Sequence, residues 1–277
     1  MTPLRRQNIF KMLWRVIYPV GIHFCIGQIV GSVVLMWLMA HVTDAETAYS
    51  GYIVTLTGIT GLLVMIPCAL FYRKDRRNRI IGGLISIDRE KIGIPEILLL
   101  FLTGAGFAQY VNLFVGILQS YFNYTAYSES MERMTNGKSL FILILWMGIV
   151  APIAEEMIFR WLIYLRLRDH LGIITSGVIS AGIFGIYHGN WAQGLYAFIM
   201  GMIFAYLLEM GGNLWVSIFL HAGANIWVLV FGQYARSLLD KFGPGSIAMI
   251  YGISVAAMIT GYRYFVHKGK RRGCRAI

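Results

Sequence analysis

Long apolar runs alternate with short polar breaks along this chain, and the runs are too long and too continuous to be one face of a soluble helix. A bilayer span needs about 20 mainly apolar residues. On that ruler the pattern predicts spans at about 17–41, 52–72, 97–119, 139–167, 171–189, 192–210, 213–232 and 247–266. The expected fold class is therefore all-α, a polytopic bundle of about eight transmembrane helices. The fifth to seventh runs are joined by turns around Gly172, Gly189-Asn190 and Gly211-Gly212-Asn213, where Gly and Asn tolerate positive φ. Between the second and third runs, Ile80 to Glu96 mixes apolar and charged residues. It reads either as an amphipathic piece lying at the membrane surface or as a solvated loop.

Composition agrees with this class. The chain is 57% hydrophobic and 13% charged, against roughly 25% charged in average soluble domains. Its net charge of +11 could suit a nucleic-acid binder, but no polar segment is long enough to form such a module. The basic residues are instead distributed as topology determinants and headgroup anchors. With the N-terminus inside, 19 Lys and Arg fall on cytoplasmic segments. These include Arg5, Arg6, Lys11 and Arg15, the run Arg73 to Arg79, Arg89, Lys91, Arg166, Arg168 and the tail from Arg263 to Arg275. Only 4 fall outside, Arg133, Lys138, Arg236 and Lys241. That asymmetry predicts a multi-pass cell-membrane protein with both termini cytoplasmic. Cys25, Cys68 and Cys274 form no CxxC or Cys/His spacing that suggests zinc or a disulfide framework.

A few polar residues break the apolar runs, and they carry the chemistry. Glu155, Glu156 and Arg160 lie in the fourth run, Phe184 and His188 in the fifth, and His221 and Asn225 in the seventh. A charged side chain at the centre of a span costs on the order of 2.5–3.5 kcal/mol, so these groups need partners. Glu156 and Arg160 are four residues apart and share a helix face, whereas Glu155 is rotated by about 100°. The reading is an Arg-paired, structural Glu156 beside a Glu155 able to act as general base. His188 supplies an imidazole packed beside Phe184, and His221 with Asn225 offers hydrogen-bond donors on one face. Together they have the composition of a site that hydrolyses an amide with activated water.

Such a cluster makes a demand on depth. At 1.5 Å per residue, His188 lies about 22 Å above an inner end near Ile173, and His221 lies about 12 Å up its own span. Glu155 reaches a similar depth, about 20 Å, only if the fourth span continues past Arg160 to about Arg168.

The order Glu-Glu-x-x-x-Arg (Glu155, Glu156, Arg160), Phe-x-x-x-His (Phe184, His188) and His-x-x-x-Asn (His221, Asn225) resembles the CAAX-protease and bacteriocin-processing family, also called the ABI family. The resemblance covers about residues 143–232. It divides the chain into an N-terminal part with three spans and a basic loop (1–142), the motif-bearing core (143–232), and a last span with a basic tail (233–277).

What the resemblance implies is an intramembrane endopeptidase of the glutamate type, with no cofactor and no essential metal. Glu155 and His188 would activate water, His221 and Asn225 would stabilise the oxyanion, and Glu156, Arg160 and Phe184 would support the site. The substrate would be a peptide or membrane-associated protein in the bilayer, and a peptide exporter or histidine kinase could be a partner. Eukaryotic members of the family trim prenylated proteins. Bacterial members are linked to bacteriocin maturation, self-immunity and peptide-signal processing, and this compact basic chain looks bacterial. Its own end, Cys274-Arg275-Ala276-Ile277, has cysteine fourth from last, but Arg and Ala fit a prenylation box poorly.

Three other readings stay open from the residues. One is a non-catalytic membrane immunity factor or regulatory partner. Another is a zinc hydrolase using a Glu-His-His set, although no HExxH occurs. A transporter is the weakest, because no inverted repeat is apparent.

Overall fold

In the computed structural model, which describes residues 9–82 and 90–274, the regular structure of the described residues is entirely helical. The helices are α1 (Ile9–His41), α2 (Ala45–Ile81), α3 (Ile94–Tyr121), α4 (Ala126–Thr135), α5 (Leu140–Arg168), α6 (Ile173–Tyr187), α7 (Trp191–Gly211), α8 (Trp215–Phe242) and α9 (Pro244–Arg271). Seven of them are long and apolar enough to cross a membrane. The polytopic all-α class expected from the sequence is therefore what the chain forms.

The fifth of the expected spans is shorter than the other seven. α6 has 15 residues, about 22 Å of helix, against a hydrocarbon layer of about 30 Å. Its end is fixed by the turn at Gly189, whose φ is +74°. Asn190 then caps α7 by accepting the Gln193 N–H at 2.8 Å. The basic run Arg73 to Arg79 also differs from expectation: it forms the last turns of α2 and is no surface loop. Of the ambiguous segment Ile80 to Glu96, the ends belong to α2 and α3, and residues 83–89 lie outside the described residues. Arg5, Arg6, Arg89 and the last three positions of the Cys274–Ile277 tail lie outside them as well. The short polar helix α4 was not foreseen. It is too short and too charged to register as a span.

The chain divides into two compact units. The first is drawn from Met1–Leu84 and Ala126–His170 and contains α1, α2, α4 and α5. Asp44 opens α2 by accepting the Thr47 N–H at 3.1 Å, and hydrogen bonding from Thr47 holds its carboxyl below the ordinary range. At the basic end of this unit, Asp75 receives Arg166 at 2.5 Å and Arg15 at 2.8 Å. Arg79 holds Asp169 through two hydrogen bonds of 2.8 and 3.1 Å. One arginine of the basic run, Arg79, is thus tied to a carboxylate at the end of α5 and not left to face headgroups.

The second unit is drawn from Ile85–Thr125 and Leu171–Ile277 and contains α3, α6, α7, α8 and α9. Here α3 and α8 meet backbone to backbone. A Cβ at Gly104 would lie 1.9 Å from the Leu220 carbonyl oxygen, and one at Gly223 would lie 2.3 Å from that of Phe101. Small residues permit such close approach between apolar helices, where dispersion replaces the hydrophobic effect as the attraction. The contact fixes the rotation of α8, the helix that carries His221 and Asn225. Glu96, in the first turn of α3, joins that helix to α9 by accepting from Lys268 at 2.7 Å and Tyr264 at 2.8 Å.

Candidate active site

The two glutamates sit where α5 changes its winding. Ala151–Glu156 is α-helical, but Ile144–Val150 before it and Met157–Tyr164 after it are π-helical. The Ala151 N–H donates to the carbonyl of Trp146, and the Leu165 N–H to that of Arg160, each five residues back. Pro152 supplies a local cause for the first π segment, since it has no N–H to give the Gly148 carbonyl four residues earlier. Single π turns occur mostly inside α-helices at functional sites.

This winding separates the adjacent carboxylates. Glu156 is fully buried and pairs with Arg160, Oε1 to Nη1 at 3.1 Å, and both side chains have no solvent exposure. Glu155 is half-buried and lies within electrostatic range of His23 on α1 as well as of Arg160. Glu156 is thus sealed within its ion pair, while Glu155 is only half-buried. The helix continues to Arg168, so Arg160 is an interior residue of the span and Glu155 lies about 20 Å from its end.

The imidazoles are arranged around one aromatic ring in the second unit. Phe184 presents its ring to His188, with centroids 4.8 Å apart and planes at 82°. The same ring meets His221 at 5.9 Å and 75°. Phe204 stacks on the His221 ring at 4.8 Å and 28°, and His221 is buried. Close approach of α6 and α7 brings Phe204 into place: a Cβ at Gly185 would lie 2.7 Å from the Gly194 carbonyl oxygen. Asn225 follows one turn after His221 on α8.

A hydrogen bond sets the chemistry of His188. Its Nδ1 lies 2.8 Å from the Phe184 carbonyl oxygen. A carbonyl only accepts, so Nδ1 carries the proton, and in the neutral ring Nε2 is left as the proton-accepting nitrogen. His188 is half-buried at the end of α6, where the chain turns toward α7.

The structure therefore keeps Glu155, Glu156 and Arg160 together in the first unit, and Phe184, His188, His221 and Asn225 together in the second. Sequence reasoning missed two participants. Phe204 carries no polar signal, since an aromatic residue in an apolar run is not distinctive. His23 is a lone histidine in α1, and only the packing of α1 beside α5 relates it to Glu155. Neither unit contains, among the described residues, three His, Cys, Asp or Glu grouped to hold a metal ion.

Comparison with a family model falls on the same segment. The model for "Type II CAAX prenyl endopeptidase Rce1-like" matches residues 137–227, about a third of the chain. A protein of Bacillus subtilis (strain 168), described as "Putative membrane peptidase YdiL", is 39% identical over 80 residues. That alignment covers 29% of this chain and 33% of the relative, so the chain spans about a third of the length of the relative it matches. No solved structure matches. Both matches support the resemblance to the CAAX-protease and bacteriocin-processing family, and the family model spans all seven motif residues. The chain is a multi-pass membrane protein with a central segment that resembles that family.

Proposed function

We propose that this chain is an intramembrane endopeptidase in which Glu155 and His188 activate a water molecule. One observation carries the reading most directly. Of two adjacent carboxylates, Glu156 is fully buried in an ion pair with Arg160 while Glu155 is only half-buried. A structural anchor needs only one glutamate; a hydrolase needs a second that can take a proton. The family match at residues 137–227 supports the same assignment.

The chemistry follows from the residue types. Glu155, assisted by Nε2 of His188, withdraws a proton from water as its oxygen bonds to the carbonyl carbon of the scissile peptide. The carbonyl electron pair moves onto oxygen, and donors from His221 and Asn225 stabilise that oxyanion. The intermediate collapses, the C–N bond breaks, and the proton passes to the leaving amine. Phe184 and Phe204 hold the His221 ring in orientation, and the Glu156–Arg160 pair keeps α5 in register.

The proposed substrate is a small peptide or membrane-associated protein, in bacteriocin or signal-peptide maturation or in self-immunity. An exporter or histidine kinase would be the accompanying partner, and both termini would be cytoplasmic. The test is cleavage of a native peptide substrate by Glu155→Gln protein reconstituted in lipid. Loss of cleavage with unchanged folding supports the enzyme. Full biological function in the native host with Glu155→Gln would favour a non-catalytic membrane partner.

A further inference from the structure

The first unit contains a groove that the proposed chemistry does not use. It lies between α1 and the end of α2, has a volume of about 880 Å³, and is polar at one end and apolar along the rest. Lys11, Arg15, Lys74 and Asn78 line the polar end together with Asp75. The apolar part continues along α1 past Gly21, Ile22 and Cys25 to Ile26, with Phe71 opposite on α2. We propose that this groove binds one anionic phospholipid, with its phosphate at the lysines and an acyl chain along α1.

Charge is the first argument. Three cations line the groove against a single carboxylate, Asp75, and that carboxylate already receives Arg15 and the buried Arg166. What remains toward the groove is positive charge, carried by the exposed Lys11 and Lys74. Shape is the second argument. Arg15 to Ile26 is about 16 Å of helix, close to half of a hydrocarbon layer of about 30 Å, the depth of one acyl chain in one leaflet. An acidic peptide would satisfy the lysines but would place polar backbone against the apolar trough. Trp14, exposed at the rim, is the residue type that settles at headgroup level.

The experiment is native mass spectrometry of the full chain in detergent, titrated with phosphatidylglycerol, phosphatidylcholine or inorganic phosphate. The expected result is one retained phosphatidylglycerol, no equivalent phosphatidylcholine, and no displacement by millimolar inorganic phosphate. Replacing Lys11 and Lys74 together by alanine should weaken retention about tenfold or more, the scale of one lost charge-assisted contact. Replacing both by arginine should preserve it. Arg73 and Arg77 are exposed and do not line the groove, so alanine at both removes the same charge and should change retention by less than about twofold. Gly21→Phe should weaken retention with every charge intact, because a Cβ there meets no atom within 4 Å and a ring would enter the groove.

Equal losses in the two alanine pairs would reduce the effect to diffuse surface attraction and overturn the site. Equal retention of both lipids, or displacement by phosphate alone, would overturn the lipid assignment. So would a Gly21→Phe protein that retains lipid like the parent.

Discussion

Arg166 donates from Nη1 to the main-chain carbonyl of Arg15, and this is the carbonyl whose helical partner Pro19 removes. Pro19 lies inside α1 and has no N–H to give the residue four positions earlier. The guanidinium of α5 thus completes the hydrogen bonding of α1. It also holds Asp75 of α2 at 2.5 Å and Tyr18 of α1 at 2.6 Å. One side chain ties three helices of the first unit.

Arg166→Met should consequently destabilise that unit by about 3–5 kcal/mol, the usual scale for removing one partner of a buried ion pair. Thermal unfolding in detergent measures it. An unchanged midpoint would show the network to be dispensable.

Glu156→Gln should lower both folding yield and activity, because Arg160 is fully buried and would lose its charged partner. Glu155→Gln should lower activity alone. Quantifying membrane-inserted protein beside peptide cleavage separates the two, and matching behaviour of the variants would refute distinct roles for the two glutamates.

Asn225→Ala should reduce the cleavage rate about 10²–10³-fold, the range for one oxyanion donor, with little change in substrate KM. A rise in KM at constant kcat would assign Asn225 to substrate binding instead.

The proposed general-base mechanism needs no metal, so it predicts that cleavage survives prolonged chelation. Activity lost to a chelator and restored by zinc would select the zinc-hydrolase reading, with Glu155 and the two histidines as ligands.

A reporter fused after Cys274 should be active only on the cytoplasmic side, given 19 basic residues on inside segments and 4 outside. Seven full spans and the short α6 satisfy this only if α6 also carries the chain across. A cysteine-accessibility scan from Gly172 to Asn190 tests that point: labelling of both ends from one face would contradict it.

The helical class, the span positions and the polar pairs were legible because their causes are local. An apolar run of bilayer length has few alternatives to helix, since lipid offers no partner to an open backbone. Spacing of four residues was enough to pair Glu156 with Arg160 and Phe184 with His188, as both contacts lie within one helical turn. Residue adjacency was likewise enough to anticipate that Glu155 and Glu156 face different surroundings.

What the sequence could not determine depends on which helices lie beside each other. That Arg79 and Arg166 hold carboxylates 90 and 91 positions away cannot be read from local charge density, which only assigned both to cytoplasmic segments. Nor does any motif state that one ring, Phe184, meets both His188 and His221, or that Phe204 stacks on His221. Those contacts exist because glycines let α6 approach α7 and α3 approach α8. Close packing of that kind is settled by the fit of whole helix surfaces, so the sequence named the reactive groups while only the tertiary structure decided what surrounds each of them.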